Sequence, residues 1–142
     1  MKTYASFDVG RKHMAFVAMR EDGTVLTTRV DQLSGKPEDT VAYLDSLTLS
    51  DYDLVLIERQ MSINTRAMCL QHQMHTYCVC RDVAVIIVSS KLKAPADLKS
   101  YAQRKKYTVA RAVRDGVPFP VGHKRDDVAD AYCQLVAYLK FQ

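Results

Sequence analysis

The sequence predicts an α/β fold in which a three-stranded antiparallel meander is extended by parallel crossover units. Three observations lead there. Near the N-terminus three β-compatible segments are separated only by short turns. Two short, nearly continuous apolar runs follow, at 54–57 and 83–88, of the kind found in strands covered on both faces. Segments of helical length separate and follow those runs, giving the order β-β-β-α-β-α-β-α-α.

Residues 3–9 alternate and end at Asp8-Val9-Gly10, and residues 13–19 form a second strand reached through the turn Gly10-Arg11-Lys12. Glu21-Asp22-Gly23-Thr24 carries an Asp-Gly turn signal into a third strand at 25–30. Ser34 to Asp39 reads as a helix entry with Pro37 and acids in the first turn, and Val41, Leu44 and Leu47 supply its apolar stripe. The run Leu54-Val55-Leu56-Ile57 stops abruptly at Glu58-Arg59-Gln60. A long helix rich in Met, His and Cys spans about 63–81, followed by a buried strand at 83–88. Residues 89–98, with Pro95, read as a loop, and a cationic helix runs from 99 or 100 to 115. Gly116 to Pro120 breaks the chain before a last helix that starts at Arg125 or Asp126.

At 142 residues the chain is expected to be a single domain, residues 1–142, large enough to bury most of its unfolded surface in a core of its own. Its 48% apolar and 25% charged residues are ordinary globular usage. No apolar run approaches the roughly 20 residues of a membrane span, and the N-terminus shows no signal-peptide pattern. An intracellular, reducing location is expected. Cys69, Cys78, Cys80 and Cys133 lack the spacing of zinc ligands and read as reduced, structural thiols.

The net charge of +4 conceals a polarity. Residues 91–125 hold ten Lys or Arg against Asp97 and Asp115, a balance of +8, which leaves ten cations and fourteen acids, −4, for the rest. A basic face of this kind usually meets a polyanion.

The chemistry is concentrated in acids. If the first and fourth strands are parallel neighbours, about 4.8 Å apart, Asp8 and Glu58 end at the same sheet edge, where open α/β sheets usually bind ligands. Lys124-Arg125-Asp126-Asp127-Val128-Ala129-Asp130-Ala131 then opens the last helix. At about 100° per residue, Val128, Ala131, Leu135 and Leu139 form the buried stripe. Asp127 borders it, Asp130 lies about 60° from Asp127, and Asp126 lies about 100° from Asp127, further from the core. Asp127 and Asp130 form the inward-leaning pair, and Asp126 suits a first-turn acid stabilised by the helix dipole. Taken alone, the cluster is open to capping, solvation or metal binding. Joined by Asp8 and Glu58, it favours a hard-oxygen site for Mg²⁺ or Mn²⁺.

Phe7-Asp8-Val9-Gly10, Ile57-Glu58-Arg59-Gln60, Arg104-Lys105-Lys106 and the 124–131 segment, in this order and spacing, resemble the RuvC-type Holliday junction resolvases, most of all the branch from poxviruses and other large DNA viruses. The resemblance covers nearly the whole chain. It implies an RNase H-like fold with a five-stranded mixed sheet flanked by helices, and Mg²⁺-dependent symmetric nicking of four-way DNA junctions. Mn²⁺ would substitute, and two ions would serve each active site. By position, Asp8, Glu58, Asp127 and Asp130 would be the catalytic metal ligands, and Arg104, Lys105, Lys106, Lys124 and Arg125 the DNA contacts. The helix at 63–81 would build a homodimer, its alternative being an ordinary core helix. His72 and His75 read as surface or interface residues, and His123 as a weak phosphate contact. Rival readings are an RNase H-fold nuclease with another substrate, an ATPase of the actin and sugar kinase fold, and a DNA-binding module that does not cleave.

Overall fold

A computed structural model describes residues 1–10 and 12–140. Arg11, the centre of the first expected turn, lies outside the described residues.

Strands β1 (Thr3–Val9), β2 (Met14–Arg20), β3 (Val25–Asp31), β4 (Leu54–Glu58) and β5 (Val85–Val88) form one sheet in the order β3-β2-β1-β4-β5. The pairs β1/β2 and β2/β3 are antiparallel, while β1/β4 and β4/β5 are parallel. This is the expected meander with its parallel extension. The first turn is tight: the Gly10 N–H donates to the His13 carbonyl at 3.1 Å, and a Cβ on Gly10 would meet that oxygen at 2.4 Å. Only glycine fits so close to another backbone.

Helices α1 (Pro37–Leu47) and α2 (Thr65–Cys80) cover one face, and α3 (Tyr101–Arg114) and α4 (Arg125–Lys140) the other. Strand alternation decides which side chains meet which layer. Ala5, Phe7, Phe16, Val55 and Ile57 pack under α1 and α2, with Phe7 and Phe16 rings 5.1 Å apart. Ala15, Val17, Met19 and Leu56 pack under α3 and α4.

Two differences from the sequence reading have physical causes. β5 begins at Val85 rather than Val83, because the Val83 N–H is used to satisfy the Cys78 carbonyl at the end of α2 (2.9 Å). Three of its four residues are only half-buried, since β5 is a sheet edge. The apolar stripe of α4 is also wider than expected: every residue from Val128 to Leu135 is buried, because α4 is packed between the sheet and α3.

The four cysteines are free; Cys78 and Cys133 are buried, while Cys69 and Cys80 are exposed on α2. Among the described residues no helix is long and apolar enough to cross a membrane.

Candidate metal centre

Register and parity bring the first two acids together. Phe7 pairs with Ile57 across the parallel β1/β4 ladder, so Asp8 and Glu58 are the next residues of each strand. Both share the parity of residues facing α4: Ser6, one pleat before Asp8, accepts from the Gln134 amide at 2.9 Å, and Leu56, one pleat before Glu58, packs with the α4 core. Gln134 also donates to the Phe7 carbonyl at 3.2 Å, so one buried amide ties the acidic end of β1 to α4. Asp8 and Glu58 are themselves buried.

The third acid, Asp130, is only 2% exposed. Its Oδ1 accepts from the Thr108 hydroxyl at 2.9 Å, and its Oδ2 is paired with the Lys105 ammonium. A capping box sets this contact in place: Gln103 N–H donates to Ser100 Oγ at 3.1 Å and fixes where α3 begins. Lys105 and Thr108, three residues apart, then share the helix face turned to α4.

Asp127 lies at the margin. Its Oδ2 stands 3.9 Å from His13 Nδ1, and the rings of His13 and His123 meet edge-on with centroids 5.9 Å apart. Both histidines line a cleft of about 500 Å³ with Asp126 and Asp127. Burial does not separate Asp126 from Asp127 as the helical rotation expected, because both side chains are about a quarter to a third exposed. Their neighbours do: Asp126 leans toward Lys105, 3.9 Å away, and Asp127 toward His13. Among the described residues, one oxygen of Asp126 is buried without a hydrogen-bond partner.

Lys93 is the residue that sequence reasoning missed. It belongs to the 89–98 loop, yet its ammonium pairs with Glu58 and stands 3.6 Å from both Asp8 Oδ1 and Asp130 Oδ2. Gln60 adds a second donor, its amide lying 3.3 Å from Glu58 Oε1, while the Gln60 N–H is held by Gln71 of α2 at 2.7 Å. Thr108 and His13 were likewise not anticipated. No spacing rule marks these residues, since each reaches the site through tertiary packing alone.

The electrostatics follow from crowding. Burial first, then the charges of Glu58 and Asp130, hold the Asp8 carboxyl well above the usual range, against the opposing pull of Lys93. Burial and Asp126 likewise raise Asp127. Burial would lower the Lys93 ammonium, but Asp8, Glu58 and Asp130 outweigh it and the net shift is upward.

The donor set suits a hard divalent cation: carboxylate oxygens converge without thiolates, and a positive group already stands among three of them. Among the described residues, no three ligating groups are yet closed about one point.

The expected basic residues divide. Lys105 turns inward to Asp130, whereas Lys106 is exposed. Arg104 donates to the Lys99 carbonyl at 2.7 Å, and Arg125 lies over the Phe119 ring at 5.6 Å. Lys124 is exposed at the start of α4. His72 and His75 sit on α2, beneath the opposite face of the sheet from α4.

Comparison with curated proteins returned no match. Among solved structures, the fowlpox virus resolvase in complex with its substrate Holliday junction DNA has a TM-score of 0.72 at 18% identity, covering 98% of this chain and 97% of that one. The fowlpox virus Holliday junction resolvase has a TM-score of 0.72 at 16% identity, with 98% of each chain covered. RuvC of Thermus thermophilus in complex with a Holliday junction substrate has a TM-score of 0.64 at 14% identity, covering 99% of this chain and 96% of that one. At such identities the likeness establishes the RuvC-like, RNase H-like fold. The model of the family described as Poxvirus A22 protein matches residues 2–141, all but one residue at each end, and the chain therefore belongs to the poxvirus A22 protein family.

Proposed function

We propose that this protein is a structure-selective endonuclease that resolves four-way DNA junctions by paired, symmetric, divalent-metal-dependent nicks. The observation that carries the reading is the convergence of Asp8, Glu58 and Asp130, with Asp127 at their margin, beside a cationic helix in a member of the poxvirus A22 family. The fowlpox virus and T. thermophilus neighbours, named as a resolvase and RuvC bound to Holliday junctions, support the choice of substrate.

Asp8, Glu58, Asp127 and Asp130 are the residues that would hold Mg²⁺, with Mn²⁺ as a substitute and two ions per active site. Bound there, such ions supply an activated water and stabilise the leaving oxygen of a phosphodiester. The protein's own contribution is placement. Thr108 and Lys105 aim Asp130, Gln60 aims Glu58, and Gln134 holds the end of β1 against α4. Arg104, Lys106, Lys124 and Arg125 would contact phosphates around the site, and Lys105, held at Asp130, would stand beside the scissile one. A homodimer through α2, whose Cys69, His72, Val79 and Cys80 are exposed, would present two such centres to opposed strands.

Purified protein with Mg²⁺ or Mn²⁺ is expected to nick synthetic four-way junctions in opposed strands. Asp8→Asn is expected to bind junctions without cutting them. Equal cleavage of linear duplex and junction would refute the assignment, and preference for an RNA–DNA hybrid would point to an RNase H-type substrate instead.

A further inference from the structure

The feature that the proposed nuclease chemistry does not use is the position of Lys93. A lysine in an irregular loop would ordinarily extend into water, where its ammonium is well hydrated. This one is mostly buried, pairs with Glu58, and lies 3.6 Å from an oxygen of Asp8 and 3.6 Å from an oxygen of Asp130. The three carboxylates come from β1, β4 and α4, elements far apart in sequence. Their common neighbour is a side chain from a fourth, the loop between β5 and α3.

We infer that Lys93 is an exchangeable counter-ion of the metal centre: its ammonium occupies the space among Asp8, Glu58 and Asp130 in the metal-free protein, and divalent ions load only by displacing it. The inference rests on the reading of these acids as metal ligands. Three carboxylates buried together without a cation would repel one another and lack the water that solvates them elsewhere. A tethered ammonium satisfies that demand while the protein carries no metal. A divalent ion brings twice the charge and takes several oxygens at short range, so it can replace the ammonium but must first break three ionic contacts. Lys93 thus weakens metal binding while stabilising the apoprotein. Its loop leads directly into the basic helix α3, so a displaced Lys93 is free to meet phosphate. By linkage, a DNA phosphate that draws Lys93 outward tightens metal binding, and a bound metal tightens DNA binding by the same factor.

The test is Mn²⁺ binding, followed by electron paramagnetic resonance of the free ion and by calorimetry, to the wild-type protein, Lys93→Met and Lys93→Arg. Methionine keeps the stem without the charge, and arginine keeps the charge. Lys93→Met is expected to bind Mn²⁺ at least tenfold more tightly than wild type and to melt lower in EDTA, with the loss recovered by Mn²⁺. Lys93→Arg is expected to bind no more tightly than wild type. If Lys93→Met is unfolded in EDTA, folding driven by added Mn²⁺ supports the same reading. Unchanged or weaker Mn²⁺ binding by a folded Lys93→Met overturns the counter-ion role while leaving the nuclease assignment intact. Failure of the wild-type protein to bind Mn²⁺ at all overturns the metal centre itself.

Discussion

Replacing Thr108 by valine isolates the contribution of one neutral donor to the geometry of the acidic centre. Valine preserves the branched shape, so the change removes a hydroxyl without opening a cavity. The Thr108 hydroxyl donates to Asp130 Oδ1 at 2.9 Å, inside a contact where Asp130 is 2% exposed and water has little access. A hydrogen bond to a charged group contributes about 1.5–3 kcal/mol. Lys105 and Lys93 continue to serve Oδ2, which places the expected loss near the lower end. For a chain of this length, about 3–4 °C of melting temperature corresponds to each kcal/mol, so thermal unfolding in EDTA should fall by about 5–6 °C. Junction cleavage should fall as well, because Asp130 loses the group that fixes its rotamer. Asp130→Ala, which removes the acceptor, and the double variant complete a thermodynamic cycle. A coupling below about 0.3 kcal/mol between positions 108 and 130, within the additivity of independent sites, would show that Thr108 does not orient Asp130 and would refute the reasoning.

Other outcomes follow from the same geometry. Asp8→Asn should abolish cleavage yet raise metal-free stability, because it removes a charge that burial and the carboxylates of Glu58 and Asp130 disfavour, measured by urea unfolding in EDTA. Because folding raises the Asp8 pKa, the folded state binds the proton more tightly than the unfolded chain. The contribution of Asp8 to stability is therefore best below about pH 4, its unfolded value, and declines as pH rises through the raised folded value. Wild-type stability should fall over that window more steeply than that of Asp8→Asn. Asp127→Asn should lose cleavage whereas Asp126→Asn retains it in a junction-nicking assay, and equal loss would move the metal contact to Asp126. Gln134→Leu should cost about 1–3 kcal/mol, since it leaves the buried Ser6 hydroxyl without its amide donor. Lys106→Ala should weaken junction binding without sequence bias and lower the salt dependence by about one phosphate contact.

How much was legible beforehand divides along physical lines. The strands and helices were readable because their signals are local: alternation in β1, the Asp-Gly turn before β3, the unbroken apolar run of β4, and the acidic entry to α4. The parallel pairing of β1 with β4, and with it the meeting of Asp8 and Glu58, was readable as an arrangement that the helix of crossover length between them permits. The boundary of β5 was not readable, because the fate of Val83 depended on the needs of the end of α2. The helical rotation of α4 anticipated a single buried stripe and misjudged the relative exposure of Asp126, Asp127 and Asp130, since a rotation diagram knows one neighbour and α4 has two.

By itself, the sequence determined the α/β class, the strand polarity, the concentration of cations in 91–125 and the carboxylates Asp8, Glu58, Asp127 and Asp130 that we propose as metal ligands. Those are properties of periodicity and residue type, which survive without coordinates. Only the tertiary structure decided how the acids are held: Lys93 arriving from a loop to stand among three of them, Thr108 and Lys105 dividing the two oxygens of Asp130, and His13 reaching Asp127. Such contacts join positions tens of residues apart through the packing of α3 and α4 against the sheet. Loop closure over those separations leaves no periodic trace in the chain, so only the folded structure reveals which cation meets which acid.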